Sequence, residues 1–163
     1  MKMDVREMSG FDSHSFNAVI DKGTPLITSF DMIFPLIVPV MSLVKLSADF
    51  VSCAVPGTLD SLLCGHNSRQ NAAKMLEEVG RVLKDKGVYI LITYGAPTYR
   101  LNLLKEMGSW TIKLHVIEKL VGKSDHLWEL TNPLPLDNEG SSAETLLGRN
   151  PDVHYIYVCT KVG

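Results

Sequence analysis

Polar side chains at the ends of apolar runs are the residues of this sequence best placed to do chemistry. The run Phe16–Asp21 predicts a short buried strand that ends in a carboxylate, and Val88–Tyr94 predicts a second strand that ends in a phenol. Open α/β sheets bind ligands beyond the carboxyl ends of their strands. Asp21 and Tyr94 are therefore candidates for one ligand-binding edge, although Asp21 also fits a helix cap or turn, and Tyr94 also fits an aromatic of the core or rim.

The other titratable residues argue against several kinds of site. The five histidines have no metal-ligand spacing and no nucleophile motif is present, so the sequence predicts no metal site. A formal net charge of −2, without a run of basic residues, argues against a nucleic-acid surface. Cys53, Cys64 and Cys159 are odd in number and widely spaced, which is typical of reduced thiols in a cytoplasmic protein. The N-terminal residues lack the apolar run of a signal peptide.

A helix followed at once by a strand is the clearest structural pattern. Ser68 is a candidate N-cap for a helix over about residues 68–85, and Gly87 suits the position just past its end. The strand Val88–Tyr94 is apolar almost throughout, as in a strand that is buried on both faces. This unit predicts a parallel α/β sheet. The apolar residues that recur on one face of the helix are Ala72, Met75, Leu76, Val79, Val82 and Leu83.

Shorter elements follow downstream. Leu101, Leu104 and Met107 predict a helix closed by Gly108, and residues 110–116 alternate as in a half-exposed strand. Residues 121–152 are mostly polar and rich in Gly, Pro and Asn, which predicts a long loop, and residues 153–162 predict a final strand. The last two strands have no helix between them, so we expect an antiparallel hairpin at the end of a single α/β domain over residues 1–163.

Residues 24–57 interrupt this plan with an apolar segment that contains four prolines. Each proline removes a backbone donor, so we expect a loop or short helices here rather than a strand of the sheet. The uncharged stretch from Met32 to Val44 is shorter than the roughly 20 apolar residues of a membrane-spanning helix. A membrane-associated role for residues 26–48 is therefore the weaker alternative to an apolar insert in a soluble domain.

Three stretches resemble one known family: Met3–Met8 (MDVREM), Phe16–Gly23 (FNAVIDKG) and Thr58–Gly65 (TLDSLLCG). They are similar to class I S-adenosylmethionine-dependent methyltransferases of the methyltransferase-like 13 kind, which include lysine methyltransferases of translation elongation factor 1A. In that family the motif DKGTLDSLL is continuous, whereas residues 24–57 separate its two parts here. The resemblance covers residues 1–23 and 58–163. It implies a Rossmann-like methyltransferase sheet, S-adenosyl-L-methionine as cofactor and a protein lysine as methyl acceptor, with an elongation factor as partner.

The same resemblance implies cofactor contacts for residues in the first two stretches. Asp4 and Val5 would meet the adenine, and Asp21, Lys22 and Gly23 would line the methionine end. The simpler alternatives are a solvated carboxylate for Asp4, a surface lysine for Lys22 and a turn glycine for Gly23.

Three further residues would lie on the substrate side: Thr58, Asp60 and Tyr94. Asp60 also fits the cap of a helix that starts near Ser61. No catalytic base is implied, because the sulfonium is already activated and the site mainly aligns the methyl group with its acceptor.

Two departures from the family's pattern bear on activity. This sequence has no counterpart of the family's first strand, its glycine-rich turn or the acidic end of its second strand. The sheet would therefore lack its first strands, and the cofactor would lack its backbone cradle. The dipeptide Gly-Thr stands at both edges of the insert, which is typical of an in-frame retained intron or a gene-model error, with an evolved insertion as the alternative. The sequence therefore predicts a truncated methyltransferase that is inactive or weak. The alternative is a non-catalytic isoform that binds a partner or dimerises through an unpaired edge of the first strand.

Overall fold

The computed structural model describes residues 4–22, 52–56, 58–106, 108–119, 128–130, 132–137, 140–148 and 151–163, which form an α/β fold with one mixed sheet. The strands are β1 (Phe16–Lys22), β2 (Ser52–Pro56), β3 (Leu83–Thr93), β4 (Trp110–Lys119), β5 (Trp128–Leu130) and β6 (Val153–Lys161). The helices are α1 (Thr58–Leu63), α2 (Ser68–Val82), α3 (Pro97–Glu106) and α4 (Ser141–Leu147).

The sheet has the order β2-β1-β3-β6-β4-β5. Strand β1 runs parallel to both of its neighbours, β2 and β3. Strand β6 lies between β3 and β4 and runs antiparallel to both, so β4 is parallel to β3. The predicted α/β class and the predicted antiparallel pairing of the last two long strands are therefore confirmed.

The apolar face predicted for α2 is confirmed. Met75 and Leu76 are completely buried, and with Val79 they join Tyr89 and Leu91 of β3 in one core cluster. Strand β3 is buried from Val88 to Thr93, as its apolar sequence predicts for a strand covered on both faces.

The two ends of α2 differ from the sequence-based prediction. Asn67 occupies the N-cap position with a left-handed φ of 52° and no capping bond from its side chain, so Ser68 is the first helical residue and not the cap. At the other end the chain enters β3 directly. Residues 84–87 bulge out of the ladder, because Leu83 pairs with Phe16 and Val88 pairs with Ala18. Gly87 lies in this bulge, where a Cβ would come within 2.7 Å of the Lys84 carbonyl oxygen.

Charged side chains fasten α2 to the rest of the domain. The Nζ of Lys161 in β6 donates to the carbonyl oxygens of Gly80 at 2.8 Å and Leu83 at 2.9 Å, which places a cation at the helix C-terminus where the dipole favours it. Arg81 pairs with Glu78 and donates to the carbonyl oxygen of Met8 at 2.9 Å. These contacts hold the N-terminal segment against the helix.

The expectation that residues 24–57 contribute no strand to the sheet is wrong for residues 52–56. They form β2, which pairs in parallel with β1 from Ala18↔Ser52 to Lys22↔Pro56. Pro56 is tolerated because it is the last residue of a strand at the sheet's edge, where a missing donor costs least. The predicted unpaired edge of the first strand is also wrong, because β1 has partners on both sides. The remainder of the insert, including residues 26–48, lies outside the described residues.

Two downstream predictions also need correction. The stretch 121–152 is not loop throughout, because it contains β5 and α4. The alternating exposure predicted for β4 holds at Thr111 and Lys113 but fails at His115, which is 2% exposed. Strand β5 pairs with β4 from Ile117 onward and Leu134 bridges to Leu114, so the second half of β4 lies inside the sheet.

Within the described ranges, the helices are too short or too polar for any of them to cross a bilayer.

Truncation of Leu76 tests the packing of α2 on the sheet. Because Leu76 is completely buried, Leu76→Ala is expected to lower the free energy of unfolding by about 2–5 kcal/mol, through lost transfer energy and the cavity left behind. Chemical denaturation measures the change. Glu77→Ala, at an exposed position of the same helix, is the matched control and should stay within about 0.5 kcal/mol of the parent. Equal effects of the two variants would show that the buried face is misassigned.

Candidate functional site

The carboxylate of Asp21 holds the start of α1. It accepts the backbone N–H of Thr58 at 3.0 Å and of Leu59 at 2.9 Å, and the hydroxyl of Tyr89 lies 3.2 Å away as a third donor. These N–H groups have no partner inside the helix, so a side chain from β1 satisfies them. Asp21 is completely buried. In the structure Asp21 therefore caps a helix, which is one of the alternatives given for it from the sequence.

Burial and hydrogen bonding act on Asp21 in opposite directions. Loss of solvent raises the pKa of its carboxyl, while the bonds from Leu59, Thr58 and Tyr89 act to lower it, and the net direction is upward. The nearby charge of Asp60 adds to the increase. Burial and the Asp21 charge likewise raise the pKa of the Tyr89 hydroxyl, which stays protonated as a donor.

Asp60 joins three elements at the same edge of the sheet. The Thr93 hydroxyl, at the end of β3, donates to its carboxylate at 2.8 Å, and the Arg100 guanidinium of α3 pairs with it at 2.8 Å. The Thr93 oxygen in turn accepts the N–H of Gly95 at 2.9 Å. Both members of the ion pair are largely buried, with 16% of the Arg100 side chain and 22% of the Asp60 side chain exposed. Asp60 thus ties α1 to β3 and α3 and does not cap a helix starting at Ser61.

Gly95 is required at its position by the same arrangement. A Cβ there would come within 2.3 Å of the Arg100 Nε, so a larger residue would displace the guanidinium. The carbonyl oxygen of Gly95 accepts a bond from the Tyr157 hydroxyl at 2.8 Å, which connects the turn after β3 to β6.

Tyr94 points to a different part of this edge. Its side chain is 43% exposed, and its ring lies 4.2 Å from the ring of His154 at the start of β6. Burial raises the pKa of Tyr94 and lowers the pKa of His154, while the charge of Asp152 raises both. Tyr94 borders a cleft of about 440 Å³, a volume typical of small-ligand sites. The cleft is lined by Tyr94, Ala96, Pro97, Thr98, Tyr99, Glu144, Gly148, Pro151 and Tyr155.

The N-terminal candidates lie apart from these contacts. The Arg6 guanidinium binds the Asp4 carboxylate, and its side-chain and backbone hydrogen bonds lower the pKa of Asp4 to about 2. Arg6 also donates to Asn71 of α2, so the contacts of Asp4 lead to that helix and not to Asp21. Val5 is half-buried and packs against the core.

The structure brings together only part of the set expected from the sequence. Asp21, Thr58 and Asp60 meet at the carboxyl ends of β1 and β3, as the position of strand ends predicts. Lys22 is half-buried at the end of β1, and Gly23 lies outside the described residues. Among the residues that the structure describes, no cluster of three metal-ligating side chains occurs, and Cys64 and Cys159 are free thiols.

Three residues of this edge are not found by sequence reasoning. Arg100 and Thr93 are ordinary members of a helix and a strand in the sequence, and only the fold brings them to Asp60. Glu144 carries no signal, because its helix lies in a stretch whose composition predicts a loop. A lone arginine among the apolar residues of α3 is the one sequence feature that could have indicated a buried ion pair.

No protein-family model matches the sequence, and no curated protein sequence matches it. The structure is similar to solved methyltransferases. A candidate DNA modification methylase from Thermus thermophilus, crystallised with S-adenosyl-L-methionine, aligns with a TM-score of 0.46 and 14% identity over 98% of this chain and 54% of that chain. A SAM-dependent methyltransferase from Thermotoga maritima aligns with a TM-score of 0.39 and 10% identity over 88% of this chain and 81% of that chain. The chain spans about half the length of the Thermus protein.

Replacement of Asp21 tests the cap on α1. Asp21→Ala leaves two backbone N–H groups and the Tyr89 hydroxyl without an acceptor, so the free energy of unfolding is expected to fall by about 2–4 kcal/mol. Asp21→Asn keeps an acceptor oxygen and should cost clearly less. Denaturant unfolding of both variants measures this. Equal losses for the two variants would show that the hydrogen bonds of Asp21 do not hold α1.

The pH dependence of stability in the parent and in Asp21→Asn gives an independent prediction. The folded state raises the pKa of Asp21, so it binds the proton more tightly than the unfolded chain does. Stability contributed by this group therefore falls as pH rises from the unfolded value, about 3.9, through the raised folded value. The parent is expected to lose stability relative to Asp21→Asn over that window, in unfolding curves recorded at successive pH values. If the parent instead gains stability relative to Asp21→Asn as the pH rises, the pKa of Asp21 is lowered in the folded state and not raised.

Proposed function

We propose that this chain works as a domain of an S-adenosylmethionine-dependent methyltransferase whose methyl acceptor is a protein lysine. The observation that carries the proposal is the contact between the two halves of the interrupted motif. Asp21 of FNAVIDKG caps the helix formed by TLDSLL, although Asp21 and Thr58 are 37 positions apart in the chain. The fold thus places next to each other two stretches that run together in the family that the sequence resembles.

The sheet supports the same proposal. Its parallel strands β1 and β3 bring Asp21 and Thr93 to one edge, and β6 returns antiparallel between β3 and β4. The resemblance implies a doubly wound methyltransferase sheet that ends in an antiparallel hairpin. The bound cofactor would supply an activated methyl group, and the protein's part is to position the acceptor and exclude water.

The described residues do not by themselves fit the cofactor. Asp21 is completely buried and its carboxylate is already engaged by three donors, so it positions α1 and has no exposed atom for a ligand. Asp4 is exposed, but Arg6 binds both of its oxygens. A backbone cradle for the nucleoside would have to come from outside these residues. We therefore assign no cofactor contact to Asp21.

A non-catalytic role is the second candidate, and the engaged state of Asp21 favours it. In that case the chain would act by binding a partner or by dimerising. In the part of the chain that the structure describes, β2 is an edge strand of the sheet, and we propose it as the surface for self-association, because an edge strand can pair with a second chain.

We expect this chain to bind S-adenosylmethionine more weakly than micromolar. Each missing hydrogen bond between the protein and a charged group costs roughly 1.5–3 kcal/mol of binding free energy, and every 1.4 kcal/mol is a factor of about ten in affinity. Isothermal titration of the full chain with S-adenosylhomocysteine measures this, with adenosine as the comparison ligand. Asp4→Ala is the informative variant, because Asp4 is exposed and the described hydrogen bonds of its side chain are confined to Arg6.

The outcomes separate the two candidates. Weak binding that favours S-adenosylhomocysteine over adenosine supports the methyltransferase proposal, and a further loss in Asp4→Ala would assign Asp4 to the adenine. No binding at millimolar ligand, together with a dimer in light scattering, would support the non-catalytic role. Micromolar binding would show that the residues judged insufficient form a complete site.

A further inference from the structure

A cleft of about 440 Å³ lies beside Tyr94 at the carboxyl edge of the sheet. Its walls carry three phenol rings, from Tyr94, Tyr99 and Tyr155, and one carboxylate, from Glu144. The nine lining residues include no lysine, arginine or histidine. This set of aromatic faces with a single acid is suited to a positively charged organic group, because ring faces attract cations.

Two carboxylates among the described residues act on the tyrosines of the cleft. Burial and, to a lesser extent, the negative charge of Glu144 raise the pKa of Tyr155, and burial and the charge of Asp152 raise the pKa of Tyr94. Arg100, which follows Tyr99 in α3, pairs with Asp60 at 2.8 Å. Among the described lining residues, a cation entering the cleft thus meets three aromatic rings and the carboxylate of Glu144.

The fold holds the two walls close together. Gly140 has a φ of 79°, and a Cβ there would come within 2.7 Å of the Cβ of Pro97, so the start of α4 packs directly on the start of α3. The Asp137 carboxylate accepts the N–H groups of Ser141 at 2.9 Å and Ser142 at 2.8 Å, which fixes the first turn of α4. The helix that carries Glu144 is therefore anchored beside the first residues of α3, which include Tyr99.

We propose that this cleft is a binding site for an alkylammonium group, with Tyr94, Tyr99 and Tyr155 as its aromatic walls and Glu144 as its counter-charge. The identification of its occupant as the side chain of a protein lysine, before or after methylation, rests on the proposed function. Tyr99 is 76% exposed, so its ring is available to a side chain that enters from solvent.

Titration of the full chain with small ammonium compounds tests the proposal. The probes are the Nα-acetylated forms of lysine amide and Nε-trimethyllysine amide, and Nα-acetylated norleucine amide is the neutral control of similar shape, because acetylation removes the α-amine charge from all three. Amide shifts in two-dimensional NMR are expected at Thr98, Tyr99 and Gly148 with both cations and not with norleucine amide. Tighter binding of lysine amide would identify the cleft as a site for the acceptor, and tighter binding of the trimethylated form would identify it as a site for the product.

Exposed residues supply the variants, so folding is not at risk. Tyr99→Leu is expected to raise the Kd roughly 2–5-fold, while Tyr99→Phe keeps the ring and should leave it unchanged. Glu144→Gln should raise the Kd roughly twofold, and Leu146→Ala, at an exposed position on the same helix, is its control.

Equal shifts with norleucine amide, or an unchanged Kd in both Tyr99→Leu and Glu144→Gln, would overturn the ammonium site. The titrations contain no cofactor. An ammonium site that fails here leaves the cofactor result untouched, and a chain that binds no S-adenosylhomocysteine can still bind the ammonium probes.

Discussion

The burial of one carboxylate, Asp21, is the constraint on which the carboxyl edge of this sheet depends. A charge without solvent is costly unless hydrogen bonds replace the lost water. Here two N–H groups of α1 and the hydroxyl of Tyr89 replace it. A helix of six residues does not form stably alone, so α1 exists because β1 supplies its cap. The strand and the helix therefore require each other.

That cap sets the position of the next interaction along the edge. With α1 held by Asp21, the carboxylate of Asp60 lies against Thr93 and Arg100, and the turn after β3 is fixed from both sides. Gly95 makes this possible, because any side chain there would collide with the guanidinium. Beyond the turn, Tyr94 and Tyr99 face the cleft and Arg100 faces the ion pair. One short segment thus separates a buried, structural polar network from an open, aromatic binding surface.

The candidate site was only partly predictable for physical reasons. Strand ends placed Asp21 and Tyr94 at the carboxyl edge of the sheet, because apolar runs locate strands and parallel strands end together. The partners of those residues could not be found in the same way. Arg100 pairs with Asp60 across 40 positions, and Tyr155 reaches the cleft only because β6 inserts beside β3. Such contacts depend on the order of strands, which local patterns do not encode.

The sequence by itself determined the elements with strong periodicity: the buried face of α2, the apolar strand β3, and the antiparallel return of β6 onto β4. Local propensity and hydrophobic pattern are sufficient there, because burial selects the same residues in any α/β arrangement. Only the tertiary structure decided that residues 52–56 pair with β1, that α4 lies within a polar stretch, and that Asp21 caps a helix. For β2 and α1 the stabilising partner is distant in the chain, so the pairing with β1 and the cap from Asp21 form only once the sheet has assembled. The carboxylate that caps α4 is local, since Asp137 accepts the N–H of Ser142 five positions on, and the tertiary structure adds the packing of Gly140 against Pro97.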